Sequence, residues 1–129
     1  MDLTVTFPGN QQVRAEYNGF IINTDQPEED GGDGSAPSPF DLFLASIATC
    51  SATYLLRFCQ SRDIATDDIR FIQKMESNEE TGKLEKIRII VDLPGDFPEK
   101  YKKAAVNSME LCTVKKNLID PPEFEFKIG

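Results

Sequence analysis

The segment from Ser38 to Gln60 limits the possible folds more than any other part of the chain. Ser38-Pro39-Phe40-Asp41 reads as a helix start. Ser38 can cap, Pro39 suits a first helical position that needs no N–H, and Asp41 three residues on can close a capping box. The residues that follow, from Leu42, Phe43 and Leu44 to Leu55, Leu56 and Phe58, are apolar nearly all round a helix. Such a helix must be covered on most sides. A chain of 129 residues can hardly surround it alone, so the pattern predicts a second copy and an intimate homodimer.

The flanking segments carry a different period. Leu3, Val5 and Phe7 alternate with polar residues, as in a half-buried strand, and Val13, Ala15 and Tyr17 alternate again. Asn18-Gly19 fits a two-residue hairpin turn whose central residues both need positive φ, and Phe20 to Asn23 follows as a third strand. The stretch 24–37 holds five acids, three glycines and no basic residue, and reads as a mobile, solvated loop. Beyond the helix, 69–77 and 84–93 predict two strands joined at Asn78 to Gly82, the second with Ile87, Ile89 and Val91 on one face. Asp96, with Glu99 three residues on, predicts a second helix with Tyr101, Ala104, Ala105, Ser108, Met109 and Cys112 on one face. Glu123 to Ile128 alternates strictly and predicts a closing strand. The order βββ-α-ββ-α-β, with strands arriving in antiparallel hairpins, predicts an α+β fold in one domain over 1–129. The N-terminus lacks the basic and apolar regions of a signal peptide, and no unbroken apolar run predicts a membrane span. A cytoplasmic protein without a membrane partner is expected.

Composition narrows the chemistry. A net charge of −8 argues against nucleic acid, which needs a basic surface. The absence of histidine removes Ser-His and Cys-His catalysis and most zinc sites. Three cysteines with no Cys-x-x-Cys disfavour a secreted disulfide scaffold and a zinc knuckle, so neither metal nor cofactor is expected. Ser46, Thr53, Tyr54 and Arg57 share the helix face of Cys50. Cys59 lies nine residues on, about 900° of helical rotation, and so faces the opposite way as a core thiol. Cys112 is followed by Lys115 and Lys116; a short helix beginning there would favour its thiolate. The cysteines are therefore inert core thiols, or two of them meet in space.

Two segments match a family. Pro39-Phe40-Asp41-Leu42-Phe43-Leu44-Ala45-Ser46-Ile47-Ala48-Thr49-Cys50-Ser51-Ala52 resembles the signature helix of the OsmC-like proteins, the osmotically inducible and organic hydroperoxide resistance group. Cys112-Thr113-Val114-Lys115-Lys116-Asn117-Leu118 is similar to their second signature. The resemblance implies two helices at the centre of an intertwined homodimer, with antiparallel sheets wrapped outside. It also implies a thiol peroxidase of organic hydroperoxides in oxidative stress defence. The cysteine matching Cys50 attacks the peroxide, the one matching Cys112 resolves it, and a thiol reductant restores both. An apolar interfacial pocket lined by Phe40, Phe43, Tyr54 and Met109 is expected from the helical faces. The family's activating glutamate directly follows the helix-start proline, where this chain has Phe40, with Asp41 one residue later. Its activating arginine is absent from 24–37, which leaves Arg14, Arg57 or Lys115 to stabilise a thiolate. A non-catalytic dimer binding a small apolar or thiol-bearing ligand at its interface is the competing expectation.

Overall fold

A computed structural model describes residues 2–129, which fall into two compact units meeting in sequence at Ala45 and Ser46. The first unit holds strands β1 (Thr4–Gly9), β2 (Gln12–Tyr17) and β3 (Phe20–Thr24), in the order β1-β2-β3 and antiparallel throughout. The β2–β3 hairpin turns on Asn18 and Gly19, with φ of 49° and 79°, and Tyr17 pairs with Phe20. These are the positive angles that a tight hairpin matched to strand twist requires. The expected half-burial of the first strand is not found. Every residue of β1 is exposed, Phe7 to 80%. Alternation supplies an apolar face, but this chain places nothing over it.

The acidic stretch is more ordered than a solvated loop. Asp25 is fully buried and accepts hydrogen bonds from Ser35 Oγ at 2.6 Å, Ser35 N at 3.0 Å and Gln26 N at 2.7 Å. A short 3-10 turn at Glu28–Asp30 folds the intervening residues, and a Cβ on Gly32 would strike the Gln26 carbonyl. The Ser35 hydroxyl and backbone donors hold the Asp25 carboxyl below its ordinary value.

Helix α1 (Pro39–Gln60) begins in the first unit and continues in the second. Its capping box forms as expected: Ser38 N donates to Asp41 Oδ2 at 3.0 Å, and Asp41 N donates to Ser38 Oγ at 3.1 Å. Only one stripe, Ile47, Ser51, Leu55 and Cys59, is buried. The four-residue spacing is that of one helix face. α1 has 22 residues, and an 18-residue window within it has a mean hydropathy of 1.5, which is long and apolar enough by length and composition to cross a membrane. The expectation that no segment qualifies is corrected: alanines and small hydroxyl residues break the apolar run without lowering its mean enough.

The second unit pairs β4 (Arg70–Ser77) with β5 (Leu84–Asp92), Phe71 opposite Val91 and Met75 opposite Ile87. Leu55, Cys59, Phe97 and Ala105 form its core, with Phe58, Ile69, Phe71, Val91, Leu93 and Met109 packed around them. Asp96 does not cap a helix. Phe97 N bonds Pro94 O at 3.0 Å, and the turn this closes buries the Phe97 ring. Pro98 follows, which disfavours helical geometry at Phe97. A 3-10 turn at Glu99–Tyr101 then leads into α2 (Lys102–Ser108). A second 3-10 turn, Met109–Leu111, ends at Cys112, where φ −47° and ψ 120° break the helix, and α3 (Thr113–Ile119) starts. The closing strand is also corrected. Residues 123–128 have no ladder partner, and Phe124, Phe126 and Ile128 are exposed. Their alternation fits a strand, but a strand needs an edge to pair with.

Because folding depresses the Asp25 pKa, the stability it contributes is present above its unfolded value of about 3.8 and is lost as pH falls through the folded one. Asp25→Asn should flatten the acid limb of a thermal denaturation profile. Ser35→Ala should move the wild-type loss to higher pH. Unchanged acid limbs in both variants would remove Asp25 as the loop's organising group.

Candidate active site

Of the two cysteines that the sequence leaves open as partners, Cys50 influences the ionisation of Cys112. Cys50 is half-buried on α1, one residue from the buried stripe. Cys112 is fully buried and is the N-cap of α3. Its N–H is tied to Met109 O at 3.2 Å, and its sulfur accepts the Lys115 backbone N–H at 3.5 Å. The Val114 N–H, the Cys50 thiol and the Ser51 hydroxyl also favour the charged form of this sulfur. Two of these four influences come from α3 and two from α1. Burial pushes the Cys112 thiol up, but the Lys115, Cys50, Ser51 and Val114 donors outweigh it and hold the group below its ordinary value.

The lysine charge is not what favours the thiolate. Lys115 Nζ pairs with Glu110, and it is the Lys115 backbone that reaches sulfur. Cys59 behaves as the core thiol expected. It is fully buried beside Leu55, Phe97 and Ala105, and burial pushes its thiol up against the opposing charge of Arg62.

The other expected site residues are spread more widely. The Tyr54 hydroxyl bonds Thr113 Oγ1 at 2.9 Å, which ties α1 to the residue after Cys112. Arg57 is exposed and lies over the Tyr54 ring at 5.7 Å. Arg14 belongs to the first unit, where its Nε donates to Asn23 Oδ1 at 2.8 Å. Phe40 and Phe43 also belong to it, their rings stacked at 5.6 Å. Met109 lines a cavity of about 340 Å³ together with Ile47, Ser51, Ile87, Ile89, Val106, Glu110, Lys115 and Leu118. Ser51 and Lys115 both line this cavity, and the Lys115 backbone N–H also reaches the Cys112 sulfur. The walls are aliphatic, with one ion pair between Lys115 and Glu110. Among the described residues, no three His, Cys, Asp or Glu side chains cluster to hold a metal.

Ser51 and the β5 isoleucines escaped the sequence reading. A hydroxyl at four-residue spacing within the stripe Ile47-Ser51-Leu55-Cys59 was the available signal, because a buried hydroxyl needs a partner. Nothing in the sequence could pair β5 with this helix face.

A family model described as OsmC-like protein matches residues 32–127. No curated protein matches the chain. Among solved structures, the chain is similar to a protein assigned to the osmotic stress and detoxification response of Psychrobacter arcticus 273-4 (TM-score 0.73, 23% identity, 89% of this chain and 85% of that one). It is also similar to an OsmC-like protein of Mycoplasma pneumoniae (TM-score 0.70, 14% identity, 93% and 87%). An organic hydroperoxide resistance protein of Legionella pneumophila matches at TM-score 0.54 and 20% identity, over 91% and 87%. Identities this low establish likeness of fold.

In a Cys50→Ser, Cys59→Ala background, Cys112 is the one thiol left. It should ionise below the ordinary value of 9.0 when followed by thiolate absorbance. Ionisation at or above 9.0 would show that burial wins over the donors.

Proposed function

The chain belongs to the OsmC-like family, which includes hydroperoxide resistance peroxidases, and from that premise we propose that it reduces organic hydroperoxides through Cys50 and Cys112. The observation that supports this reading is that Cys50, on α1, is among the groups that favour the thiolate of the buried Cys112. Cys50, the more accessible of the two, attacks the peroxide and becomes a sulfenic acid. Cys112 converts it to a disulfide before further oxidation, and an external thiol reduces the disulfide. Cys112 suits the second step because its thiolate is favoured. The aliphatic cavity beside Ser51 suits an alkyl hydroperoxide better than hydrogen peroxide.

The working unit is proposed to be a single-domain protein acting as a homodimer in the cytoplasm. The exposed apolar residues of β1, of α1 and of 123–128 support a second copy as their cover. One face of α1 is engaged by Cys112 and the core, which supports a protein interior over a lipid one. The competing reading, a dimer that binds a small apolar or thiol-bearing ligand without turnover, is favoured by one feature. Phe40 occupies the place of the family's activating glutamate, and the Lys115 charge is taken by Glu110.

With cumene hydroperoxide and dithiothreitol, wild type should turn over and Cys50→Ser should lose about 100-fold or more in rate. A peptide map after one equivalent of peroxide should show an intrachain Cys50–Cys112 disulfide. Both thiols free, with wild type no faster than Cys50→Ser, would establish the binding reading instead. Sedimentation should give the mass of two chains; a well-behaved monomer would remove the dimer.

A further inference from the structure

We propose that Glu110 sets the substrate class of the cavity beside Cys112: by holding the Lys115 ammonium, it admits neutral hydroperoxides and keeps out those that carry a carboxylate. This rests on the peroxidase reading and deepens it. The cavity, about 340 Å³, lies wholly within the second unit. That volume is at the lower end of the range for pockets that enclose a small organic molecule. Among the described residues that line it, Glu110 and Lys115 are the two with ionisable side chains, and they pair with each other.

The chain break at Cys112 makes this pair possible. Glu110 sits in the 3-10 turn Met109–Leu111 and Lys115 in α3, five residues on. On a continuous helix five residues are about 500° of rotation, which would turn the two side chains well apart. The non-helical backbone of Cys112 lets them meet. The pair also lies close to the chemistry, because the Lys115 N–H reaches the Cys112 sulfur at 3.5 Å.

The rest of the wall offers a carboxylate nothing. α1 contributes Ile47, β5 contributes Ile87 and Ile89, and α2 contributes Val106. Against these side chains a carboxylate loses water and gains no donor, so its entry is costly unless a cation meets it. Lys115 is the cation of the lining, and Glu110 already takes its charge. An entering carboxylate must displace Glu110 or lie beside it as a second negative charge. A neutral alkyl or aryl chain meets neither penalty. The side chains of Lys115 and Glu110 are 43% and 66% exposed, so water weakens the selection to a several-fold effect.

The test needs no peroxide. Two alcohols, ω-hydroxydecanoate and its methyl ester, stand in for the reduced product and differ in charge and one methyl group. Their dissociation constants are measured by calorimetry in wild type, in Glu110→Gln, and in Glu110→Gln combined with Lys115→Met, all of which keep the Lys115 backbone N–H. Wild type should bind the ester about threefold or more tighter than the acid. The ester is also the more apolar ligand, so the deciding readout is the change in the acid alone. Glu110→Gln should tighten the acid about threefold and leave the ester where it was, because the ammonium is released to meet the carboxylate. Adding Lys115→Met should abolish that gain. Equal wild-type affinities, no binding of either ligand, a Glu110→Gln shift shared by both, or a gain that survives Lys115→Met would overturn the proposal. Turnover of cumene hydroperoxide is measured separately. Selection without turnover would uphold the role of Glu110 and defeat the peroxidase reading; turnover without selection would do the reverse.

Discussion

One buried sulfur organises the second unit. Cys112 has no exposed surface, yet its sulfur accepts the Lys115 N–H, and groups on two elements remote in sequence favour its thiolate. Burial alone would make it a poor ion, like Cys59 in the neighbouring core. What separates the two thiols is donor supply. Cys112 opens a helix, so the N–H groups of Val114 and Lys115 are free to point at it, and Ser51 adds a hydroxyl. Cys59 lies near the end of α1, among Leu55, Phe97 and Ala105, with the charge of Arg62 in its favour.

The same arrangement accounts for the interrupted second helix. An unbroken helix through Cys112 would leave the N–H groups of Val114 and Lys115 bonded to carbonyls one turn back. The break frees them. The Tyr54–Thr113 bond then fixes the new helix start against α1. Ser51 completes the link, because the stripe that buries it also faces the aliphatic cavity. Packing, thiol ionisation and access to a small molecule therefore meet at one turn of one helix.

Much of this was legible from residue order. The capping box at Ser38 and Asp41, the Asn18-Gly19 hairpin and the two strand pairs are local features, decided within a few residues. Failures came where a local pattern needs something distant. Asp96 and Glu99 have the spacing of a cap, but the turn at Pro94 and the burial of Phe97 took that segment instead. Residues 123–128 have strand alternation and no edge. The acidic stretch looked like solvated charge, yet one of its carboxylates, Asp25, became the buried centre of the loop.

Sequence by itself determined the long apolar helix, the antiparallel hairpins, the placing of Cys59 opposite Cys50, and the two cysteine motifs of the family. Each rests on periodicity or on residues adjacent along the chain. Only the tertiary structure decided that Cys50 and Ser51 bear on the ionisation of Cys112, that Lys115 acts through its backbone while Glu110 holds its charge, and that β5 isoleucines wall the cavity. Hydrogen bonds between distant elements depend on where backbones approach one another, and a helical pattern fixes directions around its own axis but not what lies beyond it.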